Sequence, residues 1–417
     1  MHILFLTENF PPERNAAATR VYERAYYWVK WGHEVTVITC APNFPEGKVF
    51  SGYRNLWYQE ENMDGVRVVR VKTFITANEG VVLRMVDFLS FMFNAMIAGI
   101  FQKKPDVVVS NSPQFFSAVG GWGLAIARRK PFVFELADLW PASITAVGAM
   151  EPSIFLRWME RLELFLYRQS AAVVALTDSF KRDLVQRGIP PGKIAVVING
   201  VDLPRYSPRP RDRNLAERYG LQDQFVVGYI GTHGMAHALE KVLDVAERME
   251  REPDVRFLFV GGGAGKAKLE DELAKRKLKN VVLVPPQPKE RMPEFWSLCS
   301  VALVHLKNTP VFESVIPSKI FEAMGMGLPI LLASPKGEAS RIVEKEEAGL
   351  WVPAEDPAAL EEGILRLKND SEFYRLCASR SHAAAPLYSR ERQAREILKV
   401  VHEVVNGNGA TVGIREP

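Results

Sequence analysis

Short β-branched runs alternate with helix-length amphipathic stretches along nearly the whole chain, and this alternation limits the fold more than any other feature. The first series of runs occupies 3–7, 34–40, 66–72, 107–110, 132–136, 173–177 and 195–198. Such spacing implies βαβ units and a parallel sheet. A Pro- and Arg-rich stretch then intervenes, where Pro204, Pro208 and Pro210 suit neither helix nor sheet. Beyond it the pattern restarts at 225–230, 255–260, 281–284, 301–304 and 330–333. At 417 residues the chain also exceeds what one hydrophobic core usually supports. The pattern predicts an α/β chain of two Rossmann-like domains, 1–198 and 214–385, joined by a hinge at 199–213. A helix at 386–405 is expected to return to the first domain, followed by a tail at 406–417. Open α/β sheets bind ligands beyond the carboxyl ends of their strands, so two sheets facing a cleft would hold one substrate each.

Charge narrows the class of partner. Up to residue 200 the chain has 22 Lys and Arg against 18 Asp and Glu, and beyond it 31 against 31, so the whole net charge of +4 lies in the first half. That excess is too small for a nucleic-acid surface but would suit an anionic membrane if the cations cluster. The apolar fraction of 47% and the charged fraction of 24% are globular values. Cys40, Cys299 and Cys377 lack metal-ligand spacing and read as reduced core thiols. The chain opens on a strand-like run, 2–7, with no basic n-region or cleavable apolar segment, so a cytoplasmic location is expected.

Residues 81–101 break the alternation. They are rich in Phe, Met, Leu and Ile yet carry Arg84 and Asp87, and the charge-free run 88–101 is only 14 residues long. A bilayer needs about 20, so the segment is not expected to span. It is either a buried helix or one lying on a membrane surface beside Lys103 and Lys104.

Three segments carry candidate chemistry. The loop after the first strand runs from Thr7 through Phe10-Pro11-Pro12 and Asn15 to Arg20, into an amphipathic helix ending near Trp31-Gly32-His33. Small residues before a helix let backbone N–H groups approach an anion, which makes Ala16, Ala17, Thr19 and Arg20 candidates for contact with phosphate or acceptor. A Gly-x-Gly-x-x-Gly turn is missing, which weighs against a dinucleotide. Gly261-Gly262-Gly263-Ala264-Gly265-Lys266 imitates a phosphate loop, but Val260 stands where its first glycine belongs and Ala267 follows the lysine. It is read as a strand-to-helix turn with glycines at positive φ rather than an ATP site. In 311–322, Pro317 suits a first helical turn, which brings Ser318, Lys319 and Glu322 close to a helix N-terminus. Lys319 there would attract phosphate and Glu322 a ribose diol; the alternative is a plain Lys–Glu surface pair. Finally, Glu135 and Asp138 follow a buried-type strand as two carboxylates facing the cleft. Asp138 would either orient a hydroxyl or act as base, or else cap the next helix.

In this order and spacing, a set of motifs resembles the GT4 glycosyltransferases of the GT-B fold. They are the Phe10-Pro11-Pro12 loop with Arg20, Gly32-His33-Glu34-Val35, the stretch 173–179, Asn199-Gly200-Val201-Asp202, Gly231-Thr232, Phe259-Val260-Gly261-Gly262-Gly263 with Asn280-Val281, and Pro317-Ser318-Lys319 with Phe321-Glu322. The nearest sub-group is similar to bacterial N-acetyl-fucosamine and related aminosugar transferases of surface-polysaccharide assembly, O-antigen included. The resemblance implies a retaining hexosyltransferase that takes an N-acetylated sugar from a UDP-sugar. It implies a polyprenyl-diphosphate-linked acceptor at the cytoplasmic face of the inner membrane, with the enzyme bound there peripherally, and no metal or cofactor besides the donor.

The resemblance also assigns roles. Glu322 would bind the donor ribose, and the segment 135–141 would lie near the sugar. The family's two glutamates are separated by seven residues, but here Ser314 stands eight positions before Glu322, with Glu313 one step off. The loop Gly231-Thr232-His233-Gly234-Met235-Ala236-His237 offers His where the family has Arg or Lys. The donor set is thus Gly231, Thr232, His237, Glu313, Ser318, Lys319 and Glu322, with Lys319 supplying the missing charge. No nucleophile is assigned, because in retaining enzymes of this fold the departing phosphate can take the acceptor proton. Two other functions share the layout: a GT-B-fold UDP-aminosugar epimerase, and a non-catalytic two-lobed binding protein.

Overall fold

A computed structural model describes residues 1–13, 15–44, 46–76, 81–112, 115–138 and 154–407. Arg14 of the first loop, Leu139, Trp140 and Pro141 of the acidic segment, and 408–417 of the expected tail lie outside the described residues. The chain forms two compact units, Met1–Ile198 with Gln393–Pro417, and Asn199–Arg392.

The first unit is built on an eight-stranded sheet: β1 (His2–Leu6), β2 (Glu34–Cys40), β3 (Tyr58–Met63), β4 (Val66–Val71), β5 (Val107–Asn111), β6 (Phe132–Leu136), β7 (Ala172–Ala175) and β8 (Ile194–Val196), in the order β3-β4-β2-β1-β5-β6-β7-β8. All neighbours pair in parallel except β3 and β4, an antiparallel hairpin turned by Asp64 and Gly65 at positive φ. Side chains alternate between the two faces. One face carries Leu4, Leu6, Phe134 and Val173, and the other Ile3, Phe5, Val109 and Val133. Helices α1 (Ala16–Lys30), α2 (Val81–Ile100), α3 (Phe115–Arg128), α4 (Ile154–Gln169) and α5 (Asp178–Gln186) complete the unit's first pass. Asn15 caps α1 by accepting from the Ala18 N–H at 2.8 Å.

Of the two alternatives for 81–101, the structure shows a helix, α2, that is buried on one face and exposed on the other. Phe91, Met92, Ala95 and Ala98 are buried in the core cluster. The contact with α3 is close enough that a Cβ on Gly99 would stand 2.3 Å from Leu124 Cδ2. Leu83–Ile100 is long and apolar enough to cross a membrane by composition alone, but this packing makes α2 a layer of the first unit. The opposite face exposes Leu83, Val86, Phe93, Ile97 and Ile100.

The second unit contains α6 (Arg213–Tyr219), β9 (Phe225–Ile230), α7 (Leu239–Arg248), β10 (Val255–Val260), α8 (Lys266–Arg276), β11 (Val281–Val284) and α9 (Met292–Trp296). It continues with β12 (Val301–His305), α10 (Lys319–Met326), β13 (Ile330–Ser334), α11 (Glu338–Lys345), β14 (Gly349–Pro353), α12 (Pro357–Asn369) and α13 (Ser371–Ala384). Its six strands are all parallel, in the order β11-β10-β9-β12-β13-β14. Helix α14 (Arg390–Val405) then buries Ala394, Ile397, Val401 and Val404 in the first unit's core with Trp28 and Val35. The Trp28 indole N–H donates to the Ala394 carbonyl at 2.9 Å.

The segment expected as a hinge, 199–213, belongs to the second unit. Val201 bridges Ser389, and Gly200 lies so close to the Tyr388 carbonyl that a Cβ there would approach it to 2.5 Å. The prolines end regular structure here without freeing the backbone.

Candidate functional site

In the second sheet, β9 lies between β10 and β12, where the strand order reverses, and this is where an open α/β sheet presents its binding crevice. The loop after β9 is fastened to the loop after β10. Gly231 N–H donates to the Val260 carbonyl (2.9 Å), His233 N–H to the Gly262 carbonyl (2.8 Å), and Gly265 N–H to the His233 carbonyl (2.7 Å). A Cβ on Gly261 would fall 1.9 Å from the Gly231 oxygen, and one on Gly231 would fall 2.8 Å from Lys319 Cε, so both positions need glycine. Both residues have positive φ, as does Gly263, as the strand-to-helix turn predicts.

Lys319 opens α10 with Ser318 as its N-cap, and Pro317 precedes the cap rather than entering the first turn. Its side chain is buried, with Nζ 4.7 Å from the centre of the Tyr229 ring. Burial pulls its pKa down to about 8, opposed by Glu322. Glu322, in the first turn of α10, accepts a hydrogen bond from Trp296 Nε1 at 3.1 Å. Burial raises its carboxyl, and that hydrogen bond and Lys319 counter the rise. A cation, a helix N-terminus, close glycine turns and a held carboxylate form an arrangement that can bind a phosphate beside a diol.

His237 Nδ1 lies 3.1 Å from the His305 carbonyl and His305 Nδ1 lies 2.7 Å from the His237 carbonyl. Because a carbonyl only accepts, both rings carry hydrogen on Nδ1. Burial and then Lys319 hold His237 at about 4. Thr232 is exposed. The Glu313 side chain is also exposed, while its backbone packs so tightly on Gly337 that a Cβ there would stand 2.0 Å from the Glu313 oxygen. The structure therefore brings Gly231, His237, Ser318, Lys319 and Glu322 around the switch point and leaves Glu313 on the turn ahead of α10.

In the first unit the order reverses between β1 and β5. Ser112, just past β5, accepts at Oγ from Ala137 N–H (2.9 Å) and Asp138 N–H (3.3 Å), which fixes the strand end that bears Asp138. Glu135 does not stand beside it. It lies buried within β6, its Oε2 2.7 Å from Arg24 Nη2 of α1. That guanidinium covers the Phe5 and Trp28 rings at 5.3 Å each. Burial raises the Glu135 carboxyl against the pull of Arg24 and Arg20. The two expected carboxylates therefore differ: Glu135 is held in an internal ion pair within the first unit, and Asp138 stands at the strand end beyond it. Ala16, Ala17 and Thr19 form the first turns of α1, and Arg20 is buried.

Other side chains here carry no motif. Glu13 accepts at Oε1 from the Asn43 and Phe44 N–H groups (2.8 and 3.0 Å), tying the first loop to the one after β2. Glu8 is buried next to Asp87 of α2; burial and Asp87 push its carboxyl well up, and burial holds Asp87 at about 7. A carboxylate directly after β1 was the available signal for Glu8. Trp296, 26 positions before Glu322, offered none. Among the described residues no group of three His, Cys, Asp or Glu side chains is arranged to hold a metal, and the three cysteines are buried and free.

Two α/β units, each built on an open and mainly parallel sheet, form the GT-B fold of glycosyltransferases. Residues 17–205 match the family Glycosyltransferase Family 4 and residues 212–383 match Glycosyl transferases group 1. The chain belongs to the GT4 family of glycosyltransferases. It is 25% identical over 338 residues (78% of this chain, 82% of the relative) to WcaI of Escherichia coli K12, named for colanic acid biosynthesis. It is 26% identical over 385 residues (91% and 92%) to a GDP-mannose-dependent alpha-mannosyltransferase of Mycobacterium tuberculosis. The structure of Anabaena HepE with UDP-glucose superposes with a TM-score of 0.72 at 18% identity, covering 97% of this chain and 100% of that one.

Proposed function

We propose that this glycosyltransferase is a retaining enzyme that moves an N-acetylated sugar from a UDP-sugar to a polyprenyl-diphosphate-linked acceptor in the assembly of a bacterial surface polysaccharide. The observation that carries the donor half is the set of Lys319 against the Gly231 turn with Glu322 held by Trp296. Lys319 and the α10 N-terminus take the diphosphate, and Glu322 takes the ribose diol. HepE binds UDP-glucose and the mycobacterial relative is named for GDP-mannose, so the base is chosen here on the resemblance to aminosugar transferases. WcaI supports the polysaccharide setting. Asp138 orients a sugar hydroxyl, and the α1 N-terminus with Ala16, Ala17, Thr19 and Arg20 serves phosphate or acceptor. No metal takes part. The enzyme works at the cytoplasmic face of the inner membrane, where the exposed face of α2 meets the lipid that carries the acceptor.

A panel of UDP- and GDP-sugars is screened for thermal stabilisation, and the stabilising donor is incubated with lipid-linked acceptors for mass spectrometry of the product. A UDP-N-acetylhexosamine should stabilise and should lengthen a lipid-linked acceptor by one sugar. Conversion of that donor to its epimer without acceptor would replace the transferase with the epimerase. Stabilisation by GDP-sugars alone would overturn the choice of base.

A further inference from the structure

Trp57 is 71% exposed, yet the segment that carries it is held in place. The Asn55 side chain donates from Nδ2 to the Thr73 carbonyl (2.8 Å) and accepts at Oδ1 from the Thr73 N–H (3.1 Å), which pins this segment to the end of β4. Lys72 Nζ lies 4.6 Å from the centre of the indole ring, so the ammonium steadies one side of the ring and most of its surface stays open. A large ring that is ordered before anything binds loses little freedom when a partner stacks on it.

Topology puts this ring at the end of the first sheet where ligands bind. Strand β3 is antiparallel to β4, so Tyr58 pairs with Val71 and Trp57 stands at the carboxyl end of β4. Strands β4, β2 and β1 are parallel neighbours, so that end is shared with the switch point between β1 and β5. The loops in between are tied together. Arg70 of β4 donates from Nη1 to the Cys40 carbonyl (2.8 Å) and from Nη2 to the Pro11 carbonyl (2.6 Å), and its Cζ lies 4.9 Å from the centre of the Tyr53 ring. Glu13 holds the Asn43 and Phe44 N–H groups, and Phe44, Leu56 and Trp57 are exposed along this row. Val71 belongs to the core cluster that includes Phe91 and Met92 of α2, and side chains alternate along a strand. Lys72 and the ring it steadies therefore lie on the other face of the sheet, turned from the apolar stripe of α2.

A pyranose packs a face of C–H bonds on an aromatic ring and leaves its hydroxyls in water, so an ordered, exposed indole suits a sugar. Three strand spacings separate β1 from β3, about 14 Å, which is more than one sugar ring spans. We propose that Trp57 forms an outer acceptor subsite, stacking on a sugar beyond the one that receives the new residue. The acceptor is then an oligosaccharide rather than a single sugar on its carrier, and an earlier glycosyl transfer must supply it. This rests on the transferase reading above and adds a minimum acceptor length, which that reading leaves open.

The test incubates the full chain with the UDP- and GDP-sugars of the panel above and with lipid-linked saccharides extracted from the bacterium that makes it, and mass spectrometry identifies the acceptors consumed. Carriers that bear several sugars should be lengthened, and those that bear one should not. Trp57→Ala should raise the acceptor KM by about tenfold or more, with kcat and nucleotide affinity within about twofold of the unaltered chain. Trp57→Phe should recover most of that loss, and because the ring is exposed neither change should move the melting temperature. An unchanged acceptor KM in Trp57→Ala, or a single-sugar carrier as the acceptor consumed, would overturn this inference and leave the transferase standing. So would a Trp57→Ala chain that leaves anionic liposomes but keeps its KM for acceptor in detergent, since the ring would then be a membrane anchor. Absence of any lengthened product would overturn the transferase reading itself, and this inference with it.

Discussion

Trp296 Nε1 donates to Glu322 Oε2 at 3.1 Å, which fixes the carboxylate at the start of α10 from α9, the helix that precedes β12 in the chain. A carboxylate held in place gives stronger hydrogen bonds to a diol than one that must be ordered on binding. Glu322→Ala should weaken nucleotide binding by about 1.5–3 kcal/mol, or roughly 10- to 150-fold. Trp296→Phe removes only the tether and should weaken it by about 0.5–1.5 kcal/mol. Calorimetry on folded variants checks both, and unchanged affinity in Glu322→Ala would remove that residue from the site.

The Arg24–Glu135 pair lies inside the first unit, 2.7 Å apart. Breaking a buried pair leaves one uncompensated charge, so Glu135→Leu alone should destabilise by about 3–5 kcal/mol. Arg24→Met with Glu135→Leu should be much less damaging than the two single changes added together. Urea unfolding measures this. A Glu135→Gln variant of normal stability but without turnover would restore the catalytic role expected from the sequence.

Asp87 is held at about 7 against an ordinary 3.8, by burial first, with Arg84 opposing. A carboxyl raised in the folded state favours folding while protonated. Its contribution is therefore full below pH 3.8 and is lost as pH rises towards 7. Asp87→Asn keeps the shape of the protonated acid and should stabilise the chain at about pH 8 by up to about 4 kcal/mol, with little effect near pH 4. Melting temperatures of both proteins at the two pH values test this, and an equal effect at both would exclude the linkage.

Every strand expected from a β-branched run is present, because buried parallel strands need such residues on both faces. The two strands without a signal are edges. In β3 the residues are Tyr-Gln-Glu-Glu-Asn-Met, and β14 has only Leu350-Trp351-Val352 between a glycine and a proline, too short an apolar run to read as a strand. The grouping of Lys319 with Glu322 was legible because the two share one helical turn. What sequence could not give were contacts between distant segments: the Trp296 tether and the Arg24 partner of Glu135. The 81–101 segment was ambiguous for a related reason. Composition counts apolar residues without saying which face they occupy.

That face decides the last prediction. Along α2, Leu83, Val86, Phe93, Ile97 and Ile100 recur at helical spacing on the outer side, and Phe101 just beyond is 81% exposed. Ile126 of α3 and Ile154 and Trp158 of α4, helices of the same layer, are exposed as well. Lys103, Lys104, Arg157 and Arg161 add positive charge nearby in sequence, although Lys103 also pairs with Glu34. An apolar stripe with basic neighbours is the pattern of a surface that rests in the headgroup region of an anionic bilayer. Replacing Phe93, Ile97 and Phe101 by serine should leave a folded, nucleotide-binding protein that no longer sediments with anionic liposomes. The same change at Phe91 and Ala95, which are fully buried, should unfold the first unit instead, since a polar group would enter its core. Liposome binding of the unaltered chain should also weaken as salt screens the basic residues. If that chain ignores anionic liposomes at low salt, the membrane surface is refuted and the lipid-linked acceptor loses its physical support.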